Sequence, residues 1–313
     1  MFFTFAHVKW FVDDHLQKVP ELTTGEWLFV AFAVLAGVGM LYGAHAFIRK
    51  IGITKALDST VGTLSRYIPY IVRYTTGLLL IINAAKGLLF APNVPADTSP
   101  AQLLSIVLAL CGVLLIVGFK IRFAAIGILA VYTSALLFLR PFGDIFDHVE
   151  YIGIGLYLLL YAHKPYLALV ARSRMRALCS PESLLRIFVG VGLMSLALTE
   201  KLVGIELSAN FLQNHDWNFL SFLGISDRWF IIVAGIVELL VGLTLVLNIA
   251  PRITTAIVAG LMVVTAILLG LDEVYGHLFA LSLVAVVWLQ PELPVLAPHK
   301  AARKKGMLEV SRK

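Results

Sequence analysis

Nine apolar stretches, each long enough to cross a bilayer, take up nearly the whole of this chain, and no other feature constrains its fold as strongly. A hydrocarbon core about 30 Å thick needs about 20 helical residues at about 1.5 Å each. The stretches are Glu26–Ile48, Ile68–Phe90, Gln102–Phe119, Ile121–Leu139, Val149–Val170, Ser183–Ile205, Arg228–Asn248, Arg252–Leu271 and Val274–Gln290. Hydrophobic residues make up 59% of the 313, charged residues 14%, and mean hydropathy is +0.90. A soluble chain of this length could not hide so much apolar surface, whereas lipid removes the need to hide it. The breaks at Lys120 and at Asp272 and Glu273 are tight, so the helices they join must pack antiparallel. The expected fold class is all-α, a polytopic transmembrane helical bundle.

The net charge of +6 does not mark a nucleic-acid partner, because the charges are segregated by side. With loops numbered alternately from outside, one side collects Arg49, Lys50, Lys55, Arg66, Lys120, Arg122, Lys164, the arginines at 172, 174, 176 and 186, Arg252 and the basic tail. The other holds Asp13, Asp14, Glu21, Asp97, Asp144, Asp147, Glu206, Asp216, Asp227, Asp272 and Glu273. Excess Lys and Arg mark the cytoplasmic side, which predicts the N-terminus outside and the C-terminus inside a cell membrane. The basic loops are then topology signals and contacts to anionic lipid. Ala44, His45 and Ala46 have the form of a signal-peptide cleavage site. The acidic leader and the basic residues after the span instead predict a retained anchor helix. The aromatic leader (Phe2, Phe3, Phe5, Trp10, Phe11) is expected on the outer membrane surface.

Cys111 falls inside a span and Cys179 in a cytoplasmic loop, so the two cannot form a periplasmic redox pair. No CxxC, no His/Cys metal spacing and no glycine-rich phosphate loop occurs, so neither a metal nor an intrinsic redox cofactor is expected.

The last eight spans read as one four-helix unit written twice. Gly112 and Arg122 recur at the same separation as Gly242 and Arg252, and His148 and His277 follow at nearly the same offset. Arg73 and Gly77 match Arg186 and Gly190, with Lys86 and Lys201 at the far ends of those helices, slipped by two positions. Each copy has an even number of spans, so both enter the membrane in the same direction, as parallel repeats. The expected organisation is a leader, accessory helix and linker (1–67), a first unit (68–172), a second unit (183–298) and a basic tail (299–313). Gly39, Gly43, Gly153, Gly155, Gly235 and Gly242 are expected to allow close helix approach.

The second copy resembles the DoxX/DoxD-like membrane proteins. The resemblance rests on Arg186 and Gly190 opening its first helix, Lys201 at the far end, Gly235, Glu238 and Gly242 on the second helix, and Arg252 opening the third. The first copy is similar but carries Leu108 where Glu238 would be. Together the two copies extend the resemblance over about 230 residues, with the first helix outside it. It implies small four-helix units and a link to quinone chemistry, since the family takes its name from a thiosulfate:quinone oxidoreductase.

Glu238 is the sharpest polar signal, a carboxylate near the middle of an apolar span, where isolation costs at least about 2.5 kcal/mol. It must face the bundle interior, stay protonated or find a partner, and Lys201, beside Glu200, is the natural one. His277 could converge on all three. Such a cluster could bind and protonate a quinone carbonyl, or be a buried structural ion pair with an interfacial histidine beside it. In the first copy Asn83, Lys86, His148 and Glu150 form an analogous outer cluster, with Asp147 expected to cap the following helix. His45 and His163 lack the deep, facing placement of haem ligands. Phe211, Trp217, Phe219 and Phe222 suggest an amphipathic segment that could cover a cavity or anchor the surface.

Two function classes are therefore open. One is a quinone- or proton-handling subunit of a membrane oxidoreductase, with a periplasmic or membrane partner subunit. The other is a non-catalytic carrier or scaffold for a small molecule, a lipid or a periplasmic partner.

Overall fold

The structure, a computed structural model, describes residues 18–52, 61–139, 142–162, 180–215, 217–269 and 277–289, together with Lys9 and Asp58. Every described element of length is helical: α1 (Thr24–Lys50), α2 (Ile68–Ala85), α3 (Ser99–Val117), α4 (Ile121–Phe138), α5 (Glu150–Tyr161), α6 (Pro181–Leu196), α7 (Ile205–His215), α8 (Asp227–Leu247), α9 (Pro251–Leu269) and α10 (Leu278–Leu289). Helices overlap the expected apolar stretches, and α7 lies outside them except at Ile205. Six helices are long and apolar enough to cross a membrane among the described residues. The described parts of α5 and α10 are shorter, at 12 residues each. His163, Cys179, Asp272, Glu273, most of the aromatic leader and the basic tail lie outside the described residues.

Helices α2, α3, α4 and α5 pack in a ring, and α6, α8, α9 and α10 pack in a second ring beside it. The rings meet where α5 lies on α6 and α10 on α2. A hydroxyl–hydroxyl bond between Thr75 and Ser282 ties the latter pair. One apolar core runs through both rings, from Leu80, Ile128 and Ile154 to Leu185, Leu245 and Leu283. A second core joins α1, α7 and α8 through Val30, Val34, Leu202, Phe211 and Phe230.

The rings are built with the same backbone devices. A Cβ on Gly77 would stand 2.9 Å from the Gly112 carbonyl, and one on Gly190 2.7 Å from the Gly242 carbonyl, so α2 crosses α3 and α6 crosses α8 at glycine-only distance. Both second helices end on a left-handed residue, Gly118 or Asn248, followed two residues later by another, Lys120 or Ala250. Arg73 lies against Gly118, and Arg186 donates to the Leu245 and Val246 carbonyls, so each arginine sits at the C-terminus of a neighbouring helix, where carbonyl dipoles favour a cation.

Accessory helix α1 packs on α8 through Gly37, which meets Leu240. The expected contacts of Gly39 and Gly43 are not made. Both face open space, because the inward stripe of α1 is set by Val30, Val34 and Gly37. Thr23 and Glu26 form a capping box at its start, and Glu26 also holds the Arg228 guanidinium at 2.6 Å, pinning α1 to the start of α8. Arg252 is tied to Asp58 of the linker at 2.6 Å.

Candidate functional site

Helix α6 starts at Pro181 under a Ser180 cap and runs regularly to Leu196, where it widens into a π-helical segment, Ala197–Leu202. Its signature is the Val203 N–H bonded to the Leu198 carbonyl, five residues back, at 2.8 Å. The wider turn puts consecutive residues Glu200 and Lys201, both within the segment, into the interior. Ser208 on α7 donates to the Glu200 carbonyl at 2.7 Å, supporting the widened turn. Lys201 Nζ lies 2.8 Å from Glu238 Oε2 and 3.9 Å from Glu200 Oε2. Glu200, Lys201 and Glu238 are 0, 1 and 2% exposed, so the Coulomb attraction acts with almost no solvent screening. Gly235 makes room for the lysine, since a Cβ there would press on Leu202 and Lys201. Over this group lie α7 and the following turn, with Phe211 against Trp217 at 5.3 Å and Phe219 against Phe230 at 5.1 Å. The aromatic segment thus covers the second ring, while Phe222 remains 80% exposed at the tip.

A second group of polar residues sits where the two rings meet, at the same end of the molecule. Asp147 is buried and accepts from Ser195 Oγ at 2.7 Å, from Thr199 Oγ1 at 3.2 Å and from Lys9 Nζ at 2.6 Å. The expected capping role for Asp147 is overturned. Helix α5 starts at Glu150 with Val149 as its cap and no side-chain capping bond, because Asp147 turns across the interface to α6. Lys9 also reaches Asp144 at 2.7 Å. Burial works against the Lys9 charge, but hydrogen bonds to the two aspartates outweigh it and hold its pKa above the ordinary lysine value. Glu150 lies on Gly192 of α6, with Oε2 at 3.0 Å from where a Cβ would be. Asp147, Glu150 and His277 line a cavity between the rings, walled by Leu193, Leu196 and Met262. It offers about 50 Å³, room for a few ordered waters. His277 and Asp147 are also close enough to act electrostatically on Glu238.

The expected second-copy residues thus divide. Lys201 joins Glu200 and Glu238, and His277 lines the cavity between the rings. In the first copy, His148 Nδ1 meets Glu150 at 3.3 Å and its Nε2 meets Asn93 at 3.1 Å. Asn83 instead closes the α2–α3 connector, donating to the Phe90 carbonyl at 2.5 Å, and Lys86 is exposed just past the end of α2. His45 is buried on α1. Among the described residues no group of three or more His, Cys, Asp or Glu is placed to hold a metal. Sequence reasoning missed Gly192, Ser195 and Thr199, whose i, i+3, i+7 spacing is a readable small and polar stripe on one helix face. It could not have found Lys9, which reaches Asp147 across 138 residues.

These features define a polytopic helical membrane protein with ionisable groups buried at one end. Residues 183–271 match the family model DoxX, so that stretch of the chain is similar to the DoxX family. The match holds Arg186, Gly190, Lys201, Glu238 and Arg252 and ends before α10. No curated protein and no solved structure matches the chain.

Proposed function

We propose that this DoxX-like membrane protein handles protons, and through them a quinone, at the end of the bundle where Lys201, Glu238 and the inter-ring cavity lie. The proposal includes two parallel four-helix units with this end facing outward from a cell membrane, and an oxidoreductase partner subunit that exchanges the electrons. One observation carries it: two buried carboxylates, Glu200 and Glu238, converge on the Lys201 ammonium deep in the bundle. In a dry interior, carboxylates gathered at one ammonium are groups whose charge is costly, which suits them to taking up and releasing a proton. His277 and Asp147, lining a cavity with room for water, are the groups through which such a proton can reach the outer end. A quinol oxidised there gives up two protons to these groups and two electrons to the partner. A ring would need more room than the waters do, and the flexible Met262 is the wall residue best suited to yield.

The mainly apolar wall of that cavity supports the second reading, a non-catalytic carrier or scaffold holding an apolar ligand. Adding a short-chain quinol to the protein in its native membranes, with ferricyanide as a two-equivalent electron acceptor, and following the quinol's oxidation separates the two. Glu238→Gln and Lys201→Met should abolish quinone-dependent turnover while helix content is retained. Unchanged turnover in both variants overturns the quinone reading, and a lipid or solute that co-purifies without redox dependence supports the carrier.

A further inference from the structure

At the end of the molecule opposite the Lys201–Glu238 pair, the two rings use their basic residues differently. In the second ring Arg186 and Arg252 are buried and spent inside the protein, on the α8 carbonyls and on Asp58. In the first ring Arg66 and Arg122 are exposed and Arg73 half-buried. Arg66 lies over the Tyr67 ring at 4.9 Å, and Arg73 over Tyr70 at 5.2 Å and Tyr74 at 4.7 Å. Lys120 Nζ stands 5.7 Å from Phe119 and 5.8 Å from Phe123. Arg73 abuts Gly118, two residues before Lys120 in the α3–α4 turn. Arg122 is turned onto the Ala162 carbonyl at 2.9 Å.

Two properties of this patch point to its occupant. Among the described residues none of Arg66, Arg73 and Lys120 is ion-paired with a carboxylate, so three like charges share one surface with only rings and helix-end carbonyls beside them. The rings beneath them are themselves exposed, as is Leu78 one turn beyond Tyr74, and they lie on the outer face of α2 and the α3–α4 turn. Stacking holds each cation at the polar edge of an apolar helix face, with guanidinium donors free to meet an anion from outside. A free anion would use the charges and leave the rings bare. An anionic phospholipid uses both, its phosphate on the cations and its acyl chains along Tyr70, Tyr74 and Leu78. We propose that Arg66, Arg73 and Lys120, laid over Tyr67, Tyr70, Tyr74 and Phe119, form a binding site for the head group of an anionic phospholipid.

Native mass spectrometry of the full chain in neutral detergent, titrated with phosphatidylglycerol or phosphatidylcholine, tests this. The wild type should retain phosphatidylglycerol at much lower concentration than phosphatidylcholine, and each substitution among Arg66→Gln, Arg73→Gln and Lys120→Gln should weaken that preference about fivefold. Arg49→Gln with Lys50→Gln, basic residues of the same end on α1, should leave the preference unchanged. An equal loss in that pair shows diffuse attraction and overturns the site, as does displacement of the lipid by millimolar inorganic phosphate. Arg73→Lys, which keeps the charge and the fold but not the planar fork, should lie between wild type and Arg73→Gln; a value equal to Arg73→Gln would mean that charge is not what binds.

Discussion

The first ring and the second share their crossings and their turns but not their interiors. Gly77 on Gly112 and Gly190 on Gly242 make the same close approach, and Gly118 and Asn248 end their helices in the same left-handed conformation. Yet Leu108 is 1% exposed in an apolar interior, while Glu238 is 2% exposed against Lys201. Backbone devices of this kind depend on absent side chains and tolerate few substitutions, whereas an interior position can exchange a leucine for a carboxylate if a partner is supplied. The second ring carries the buried charges, the first supplies Asp147 and Glu150 at the shared boundary, and the spare cations of the first ring face outward.

The comparison breaks first at the exchanged position. Leu108→Glu puts a carboxylate where no lysine awaits it and should destabilise the protein by at least about 3 kcal/mol in denaturant titrations in detergent. Glu238→Ala should cost about 3–5 kcal/mol because Lys201 is left buried without its partner, and the double variant Lys201→Met with Glu238→Leu should recover most of that loss. Full additivity of the two single losses would show that the pair is not a unit. Gly77→Ala and Gly190→Ala should each cost about 1–3 kcal/mol, and by similar amounts, since each Cβ meets a carbonyl. A large difference between them would separate the two crossings that look alike.

Smaller effects sharpen the boundary between the rings. Gly192→Ala should push the Glu150 carboxylate off α6 at a cost of about 1 kcal/mol, read by denaturant titration together with a change in the NMR chemical shifts of the His148 ring it contacts. Lys9→Met removes the ammonium from Asp144 and Asp147 and should cost about 1 kcal/mol. Because the Lys9 pKa is raised, that contribution is complete below the ordinary lysine value of 10.5 and is lost as pH rises through the raised one. The variant and the wild type should therefore differ at neutral pH and converge only in strong alkali.

Much of this was readable from residue order. Hydropathy alone located the helices, and the match of Arg186, Lys201, Glu238 and Arg252 to a family pattern located the buried pair before its geometry was known. Asp147 shows where such reading stops. Its place just before a helix argues for a cap, and only the α5–α6 contact reveals Ser195 and Thr199 waiting for it. Gly39 and Gly43 carry a packing motif, yet the neighbour they would need lies on the other face of α1, at Gly37.

By itself the sequence determined the all-helical, membrane-spanning character of this protein and the presence of a costly acid inside its second half. Both follow from local quantities, the length of an apolar run and the cost of burying charge, that need no knowledge of neighbours. Tertiary structure alone decided that Lys201 sits in a π-helical segment and that Asp147, Glu150 and His277 line one cavity between two rings. Those outcomes depend on which helix faces touch, and helices packed side by side bring together residues whose separation along the chain carries no sign of the meeting.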